Sequence, residues 1–173
     1  MGTLSEEILE NIYKLLEGIV GEKAIKLLKR RIAEKGLTEV SQIIFEAAQE
    51  IGELLGQRGA YATLREVGRS VARNLMNEHP EEEWEDIFRQ GLNIMGFAKG
   101  VKREGNRACI CSCIFYPKFL KERDLKPIHH PVCWIGLGFV EGFMKAFTGA
   151  KGVRFLKRDF DKEQCWFELV QIQ

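Results

Sequence analysis

The chain has 173 residues, of which 45% are apolar and 29% are charged, and its net charge at neutral pH is +1. This size and composition fit one globular domain with a real core and exclude a disordered chain. The near-neutral charge excludes the global basic field typical of a nucleic-acid-binding protein, so no nucleic-acid partner is expected.

The first 95 residues are predicted to form a succession of helices. Apolar residues recur at helical spacing within 4–19, 24–32, 40–54, 64–75 and 84–95. Gly56 and Gly59 follow the third stretch, and they are predicted to end that helix because glycine disfavours a helix interior. The N-terminal half is therefore predicted to be all-helical.

The second half of the chain is predicted to contain strands and one long helix. Two strands are predicted within 97–104 and 107–116, around a turn at residues 105–106. Pro131 is predicted to start the long helix, because proline favours the first helical turn. A last hairpin is predicted within 152–172. Together the elements predict an α+β fold, in which N-terminal helices precede an antiparallel sheet of two hairpins separated by one long helix.

The chain is predicted to be cytoplasmic. Its opening residues, MGTLSEEILE, are acidic and lack the apolar segment of a secretory signal. The longest uncharged apolar run, 131–140, is far shorter than the ~20 residues that span a bilayer. In a reducing compartment the five cysteines are predicted to be metal ligands, reactive thiols or small core residues rather than a disulfide framework.

Three of the cysteines alternate along one predicted strand, in the sequence RACICSC. Cys109, Cys111 and Cys113 would share one face of that strand. Cys133 occupies the first turn of the long helix, where the helix dipole favours a thiolate, and Cys165 opens the last strand. Thiolates from these elements would suit tetrahedral zinc if the elements meet, although paired C-x2-C knuckles are absent. Packing of separate thiols in the core and a single reactive thiol at Cys133 are the alternatives.

Several polar residues around the long helix are predicted to face solvent. His129 and His130 immediately precede Pro131, in a polar connection. Both are therefore predicted to be exposed loop residues rather than metal ligands. Glu141 and Lys145 are predicted to form the polar face of the helix itself.

The long helix carries an aromatic stripe. Phe139, Phe143 and Phe147 are four residues apart and therefore lie along one helix face. Gly138 and Gly142 form a second stripe that lets a backbone or a flat ligand approach closely. The stripes fit either a core helix packed on a sheet or one wall of an elongated apolar pocket. The residues predicted to line such a pocket are Phe97, Phe115, Trp134, Phe139, Phe143 and Phe147.

The order of three segments resembles a known family. The segments are LREVGRSVARNL (64–75), CWIGLGFVEGFMKAFTG (133–149) and VRFLKRDFDKEQCWFEL (153–169), with a predicted hairpin between the first two. This order resembles the 4-vinyl reductase domain family, whose members are often described as hydrocarbon-binding proteins. The resemblance covers residues 56–172 and is clearest over 131–170.

The resemblance implies a fold, a ligand class and a metal. It implies an α+β fold related to the small subunits of the vesicle-tethering transport particle, with an acyl chain or another apolar molecule held in a tunnel. In relatives that sense aromatic hydrocarbons, a structural zinc takes cysteines that correspond here to Cys133 and Cys165. Those relatives take two further ligands from a strand that corresponds to 154–157 here, where no side chain can ligate. We expect Cys111 and Cys113 to replace them, which completes a zinc site of Cys111, Cys113, Cys133 and Cys165.

These observations predict a sensor or carrier domain for an apolar or aromatic small molecule, with a structural zinc. Residues 37–173 would form the ligand-binding domain, and residues 1–36 a helical arm that mediates homodimerisation. The alternative is an accessory or catalytic protein of tetrapyrrole vinyl reduction. An enzyme is the less favoured interpretation, because no phosphate-binding loop or nucleotide motif offers an electron source.

Overall fold

The described residues form five α-helices and four β-strands. The computed structural model describes residues 2–111, 115, 130–159 and 164–170, apart from the side chain of Arg158. In chain order the elements are α1 (Leu4–Val20), α2 (Glu22–Glu34), α3 (Val40–Glu78), α4 (Trp84–Met95), β1 (Gly100–Glu104), β2 (Arg107–Cys111), α5 (Pro131–Thr148), β3 (Gly152–Asp159) and β4 (Gln164–Val170). The predicted α+β class and the order hairpin, long helix, hairpin are confirmed. None of the helices in the described part of the chain combines the length and apolar character needed to cross a bilayer.

The helix α3 joins two of the predicted helices through a kink at Gly56. The backbone of Gly56 has φ 74° and ψ 167°, which lies outside the helical region, while the residues on both sides are helical. Glycine adopts this positive φ without the steric cost that a side chain would bring. The predicted break at Gly56 is therefore a kink, whereas Gly59 lies within the helix.

The four strands form one antiparallel sheet of order β1-β2-β4-β3. Gly105, with φ 59°, lies in the tight turn between β1 and β2. The two hairpins join where β2 pairs with β4, in a register that places Ile110 opposite Cys165. This register decides which side chains share a face of the sheet.

The face of the sheet that packs against the helices is called the inner face below, and the opposite one the outer face. Directly paired residues share a face, and faces alternate along each strand. The inner-face residues of the described strands include Val101, Arg103, Ala108, Ile110, Val153, Phe155, Cys165, Phe167 and Leu169. The outer-face residues include Lys102, Cys109, Cys111 and Trp166. Most of the apolar inner-face residues belong to the core that α5 also fills.

The helices α3 and α5 cross at very short range. A Cβ placed on Gly138 of α5 would lie 1.9 Å from the Arg65 carbonyl oxygen, and one on Gly68 of α3 would lie 2.1 Å from the Ile135 carbonyl oxygen. These distances are far inside van der Waals contact, so only glycine fits at either position. The small-residue stripe predicted on α5 therefore receives the backbone of α3.

The N-terminal helices pack onto α3 within the same hydrophobic core. Ile12 and Leu16 of α1 are buried in this core. A polar contact adds to the packing, because Asn74 Nδ2 donates to Asn11 Oδ1 over 2.8 Å. The apolar stripe predicted for residues 1–36 is thus covered within one chain.

Candidate functional site

The aromatic stripe of α5 packs mainly into the core. Phe139 and Phe143 are fully buried, and their ring centroids lie 6.1 and 5.1 Å from that of Phe88 in α4. Phe147, one turn further on, lies edge-on to Phe88 at 5.8 Å and is 38% exposed. The first two phenylalanines are therefore core residues, whereas Phe147 reaches the surface.

A cleft of about 450 Å³ opens beside Phe147. It lies between α4, β1 and the C-terminal half of α5. Its lining residues are Glu85, Phe88, Arg89, Val101, Arg103, Met144 and Phe147. Since Val101 and Arg103 are inner-face residues of the edge strand β1, the cleft is a part of the inner face that the helices leave uncovered.

The cleft combines apolar walls with a positive rim. Its apolar side chains come from all three elements, and its charged side chains are two arginines and one glutamate. Arg89 is paired with Glu85, with Nη2 and Oε1 2.7 Å apart. Arg103 is exposed and makes no hydrogen bond or ion pair with any described residue. An anionic group that entered the cleft would therefore meet a guanidinium that no described residue neutralises, which suits a carboxylate or a sulfonate.

Sequence reasoning identified only Phe147 among the residues of this cleft. The signal that could have found Arg103 is its position, because it follows Val101 by two residues and therefore shares its inner face. A charged residue on the face of a strand that otherwise packs on the core is an exception, and it indicates that this part of the face is open to solvent or to a ligand.

The other predicted pocket residues lie elsewhere. Phe97 and Phe115 are buried, with ring centroids 5.1 Å apart, and a Cβ on Gly136 would lie 2.8 Å from the Phe97 ring. Trp134 lies on a separate shallow surface, where its ring stacks on Tyr61 with centroids 4.9 Å apart. Of the six residues predicted to line one pocket, only Phe147 lines the cleft between α4, β1 and α5.

The described cysteines are divided between the two faces of the sheet. Cys109 and Cys111 lie on the outer face, with Sγ atoms 3.9 Å apart. Cys165 lies on the inner face, and Cys133 is half-buried in the first turn of α5. Among the described residues, no three His, Cys, Asp or Glu side chains are grouped so that they could hold a metal ion. Cys113 lies outside the described residues, so the zinc site of Cys111, Cys113, Cys133 and Cys165 stays a prediction.

His130 is buried, which corrects the exposed position predicted for it. Only 3% of the residue is exposed. Its Nδ1 accepts a hydrogen bond from the Val132 backbone N–H over 3.1 Å, so the side chain caps the N-terminus of α5. Its Nε2 lies 2.8 Å from Gln49 Oε1, and its ring stacks on Phe45. The histidine thus fixes the start of α5, while His129 lies outside the described residues.

Glu141 belongs to a buried ion network, whereas the sequence predicts that it faces solvent. The residue is 1% exposed. Its carboxylate accepts hydrogen bonds from Arg65 Nη2 over 2.5 Å, from Arg69 Nη1 over 2.7 Å and from the Val153 N–H over 2.9 Å. Burial acts to raise the pKa of Glu141, but the hydrogen bonds from Arg65 and Val153 and the charge of Arg65 outweigh burial and hold that pKa below its usual range. The network joins α3, α5 and β3.

Comparison of the chain with protein-family models, with curated proteins and with solved structures gives no match. The resemblance to the 4-vinyl reductase domain family therefore stays a prediction from the sequence.

Proposed function

We propose that the protein binds an apolar or aromatic small molecule that carries a carboxylate or another anionic group, as a sensor or carrier of that molecule. The observation that supports this proposal is the cleft beside Phe147, which offers apolar walls and the guanidinium of Arg103, for which the described residues supply no anionic partner. The apolar body of the ligand would pack against Phe88, Met144 and Phe147. Its charged end would lie at the rim, beside Arg103.

The size of the cleft fits a small molecule. Its volume of about 450 Å³ falls within the ~300–1,000 Å³ typical of small-molecule sites. Each Å² of apolar area removed from water would contribute ~25 cal/mol to binding. Apolar contact would therefore supply most of the affinity, and the arginine would select ligands with a negative charge.

Two fluorescent probes test the two parts of the proposal separately. The probe 1-anilinonaphthalene-8-sulfonate carries an aromatic body and a sulfonate, whereas N-phenyl-1-naphthylamine carries the same body without the charge. We expect Arg103→Gln to weaken binding of the sulfonate about 3- to 10-fold, which corresponds to one partly solvated ion pair, and to leave the neutral probe unchanged. Phe147→Ala should weaken binding of both probes. Fluorescence titrations measure the dissociation constants.

Matched controls are available for both variants. Lys102 neighbours Arg103 on β1 but lies on the outer face, so Lys102→Gln should change neither dissociation constant. Leu156 is 37% exposed on β3 and does not line the cleft, so Leu156→Ala serves as the control for Phe147→Ala. Equal losses in Arg103→Gln and Lys102→Gln, or unchanged binding in Phe147→Ala, would contradict the proposal.

The proposed homodimer has to use surfaces that the arm does not bury in its own core. Among the exposed large apolar residues of the described chain, Ile19 lies on α1 and Leu27 on α2, with 46% and 54% of each residue exposed. We assign the proposed dimer contact to these residues, because the buried stripe of the arm already packs against α3. Native mass spectra of the same samples count the subunits and detect a co-purified ligand.

A further inference from the structure

The two thiols on the outer face have the spacing of a metal site. Cys109 and Cys111 alternate along β2, their Sγ atoms lie 3.9 Å apart, and both cysteines are reduced. Zinc binds thiolates at about 2.3 Å in a tetrahedron, which places two bound sulfurs about 3.8 Å apart. We propose that Cys109 and Cys111 together bind a thiophilic divalent cation, zinc, on the outer face of the sheet.

This site differs from the four-cysteine site predicted from the sequence. Cys165 lies directly opposite Ile110, so its side chain is on the inner face, away from those of Cys109 and Cys111. Cys133 belongs to α5, which packs against the inner face. The register of β2 against β4 therefore separates the outer-face pair from the two cysteines that the family resemblance implies as ligands.

The two cysteines of the pair differ in exposure. Cys109 is fully buried, and its ladder partners are Lys102 on β1 and Trp166 on β4. Cys111, at the end of β2, is partly exposed. Two thiolates fill two of the four positions of zinc and leave two for other donors.

Zinc binding would require both thiols to lose their protons. Burial raises the pKa of Cys109 to about 12, with smaller contributions from Cys111 and Cys165, while the Lys102 ammonium acts in the opposite direction. Without metal, Cys109 is therefore protonated at neutral pH. One Zn²⁺ would form two Zn–S bonds and release two protons to solvent, with no change of oxidation state. The affinity for zinc should accordingly rise with pH.

Metal titration of the full chain tests the proposal against its simplest competitor, a weak hydrogen bond between two reduced thiols. The reduced, chelator-stripped protein is titrated with Zn²⁺ in competition with a chromophoric chelator, and Co²⁺ then reports thiolate coordination through its charge-transfer absorption. We expect one ion per chain. Cys109→Ala and Cys111→Ser should each weaken zinc binding more than about tenfold and remove the charge-transfer absorption.

The controls separate loss of ligands from loss of fold. Cys109→Ala keeps a small apolar side chain at the buried position, and thermal unfolding of the metal-free variants checks that each one folds. Cys165→Ala removes a thiol of the inner face and should leave the affinity for zinc unchanged. The proposal is overturned if the wild type binds no more zinc than a variant with both Cys109→Ala and Cys111→Ser, or if Cys165→Ala weakens binding as much as Cys109→Ala does. The outcome is independent of the cleft, which lies on the inner face.

Discussion

Single side chains join the elements of this fold, and Glu141 is the clearest case. One carboxylate accepts hydrogen bonds from Arg65, Arg69 and the Val153 N–H, and so links α3, α5 and β3. The sequence indicates the two arginines of the network, because Arg65 and Arg69 are four residues apart and therefore place two positive charges on one helix face. The sequence does not identify Glu141 as the anion that joins these arginines, because Lys145 lies four residues further along the same helix and is an equally plausible partner for Glu141.

Replacing Glu141 with glutamine tests the network. We expect Glu141→Gln to lower the free energy of unfolding at pH 7 by about 3 kcal/mol, because it leaves two arginines facing each other without an anion. The folded-state pKa of Glu141 is depressed, so its contribution is present above the ordinary glutamate pKa of about 4.3 and is lost as pH falls through the lower folded value. Urea unfolding at pH 7 and at decreasing pH should therefore show the difference between wild type and variant shrinking in acid.

Glu66 provides the control for this measurement. It pairs with Arg69 and Arg73 at the edge of the same network, but its side chain is 50% exposed. Glu66→Gln should cost less than about 1 kcal/mol, because water screens exposed ion pairs. A loss in Glu66→Gln equal to that in Glu141→Gln would mean that burial does not set the strength of these contacts.

At the scale of elements, the close contact between α3 and α5 depends on glycines in both helices. The glycine stripe on α5 predicted a close approach, and the structure identifies the approaching group as the backbone of α3. The sequence left a flat ligand as the alternative, because spacing along one helix does not reveal which distant segment packs against it. Gly68 on α3 makes the matching close approach to α5, but this role is visible only once the structure shows that the two helices cross at that point.

A single methyl group on α5 should disrupt this contact. The Cβ of Gly138→Ala would lie 1.9 Å from the Arg65 carbonyl oxygen, so the helices would have to separate. We expect a loss of about 3 kcal/mol or more in the free energy of unfolding, measured by urea denaturation. Gly18→Ala is the matched control, because a Cβ there meets nothing within 4 Å and alanine favours a helix. A harmless Gly138→Ala would contradict the close crossing.

At the scale of the whole molecule, the sequence predicted the fold better than the site. The fold follows from the periodicity of apolar residues and from residues that mark turns or helix starts, such as Gly105 and Pro131, whose effects reach only a few neighbouring residues. The residues that line the cleft come from three segments, 85–89, 101–103 and 144–147, and only tertiary packing brings these segments together. No sequence pattern within any one of these segments shows that the three are neighbours. Of the aromatic stripe that the spacing did reveal, Phe139 and Phe143 are core residues.

Because residues 1–36 share one hydrophobic core with the rest of the chain, a destabilising substitution in this arm should lower the stability of the whole molecule. Ile12 is 1% exposed, so Ile12→Ala should lower the free energy of unfolding by about 2–5 kcal/mol. All three tryptophans lie after residue 36, so their fluorescence reports on the rest of the molecule. We expect the fluorescence and far-ultraviolet circular dichroism midpoints to fall together on heating.

Glu17→Ala is the control for this experiment, since Glu17 lies on the same helix, is exposed and does not belong to the proposed dimer contact. It should change the free energy of unfolding by less than about 0.5 kcal/mol. An unchanged tryptophan transition in Ile12→Ala would indicate that residues 1–36 fold as a separate unit.

The position of β1 at the end of the sheet bears on how a molecule could enter the cleft. This strand has a single hydrogen-bonded neighbour among the described strands, and it forms one wall of the cleft. Local opening of an edge strand requires less free energy than disruption of central strands. Opening of this wall would therefore widen the cleft while the helical core stays intact, which would give a ligand of the proposed kind a route of entry and release.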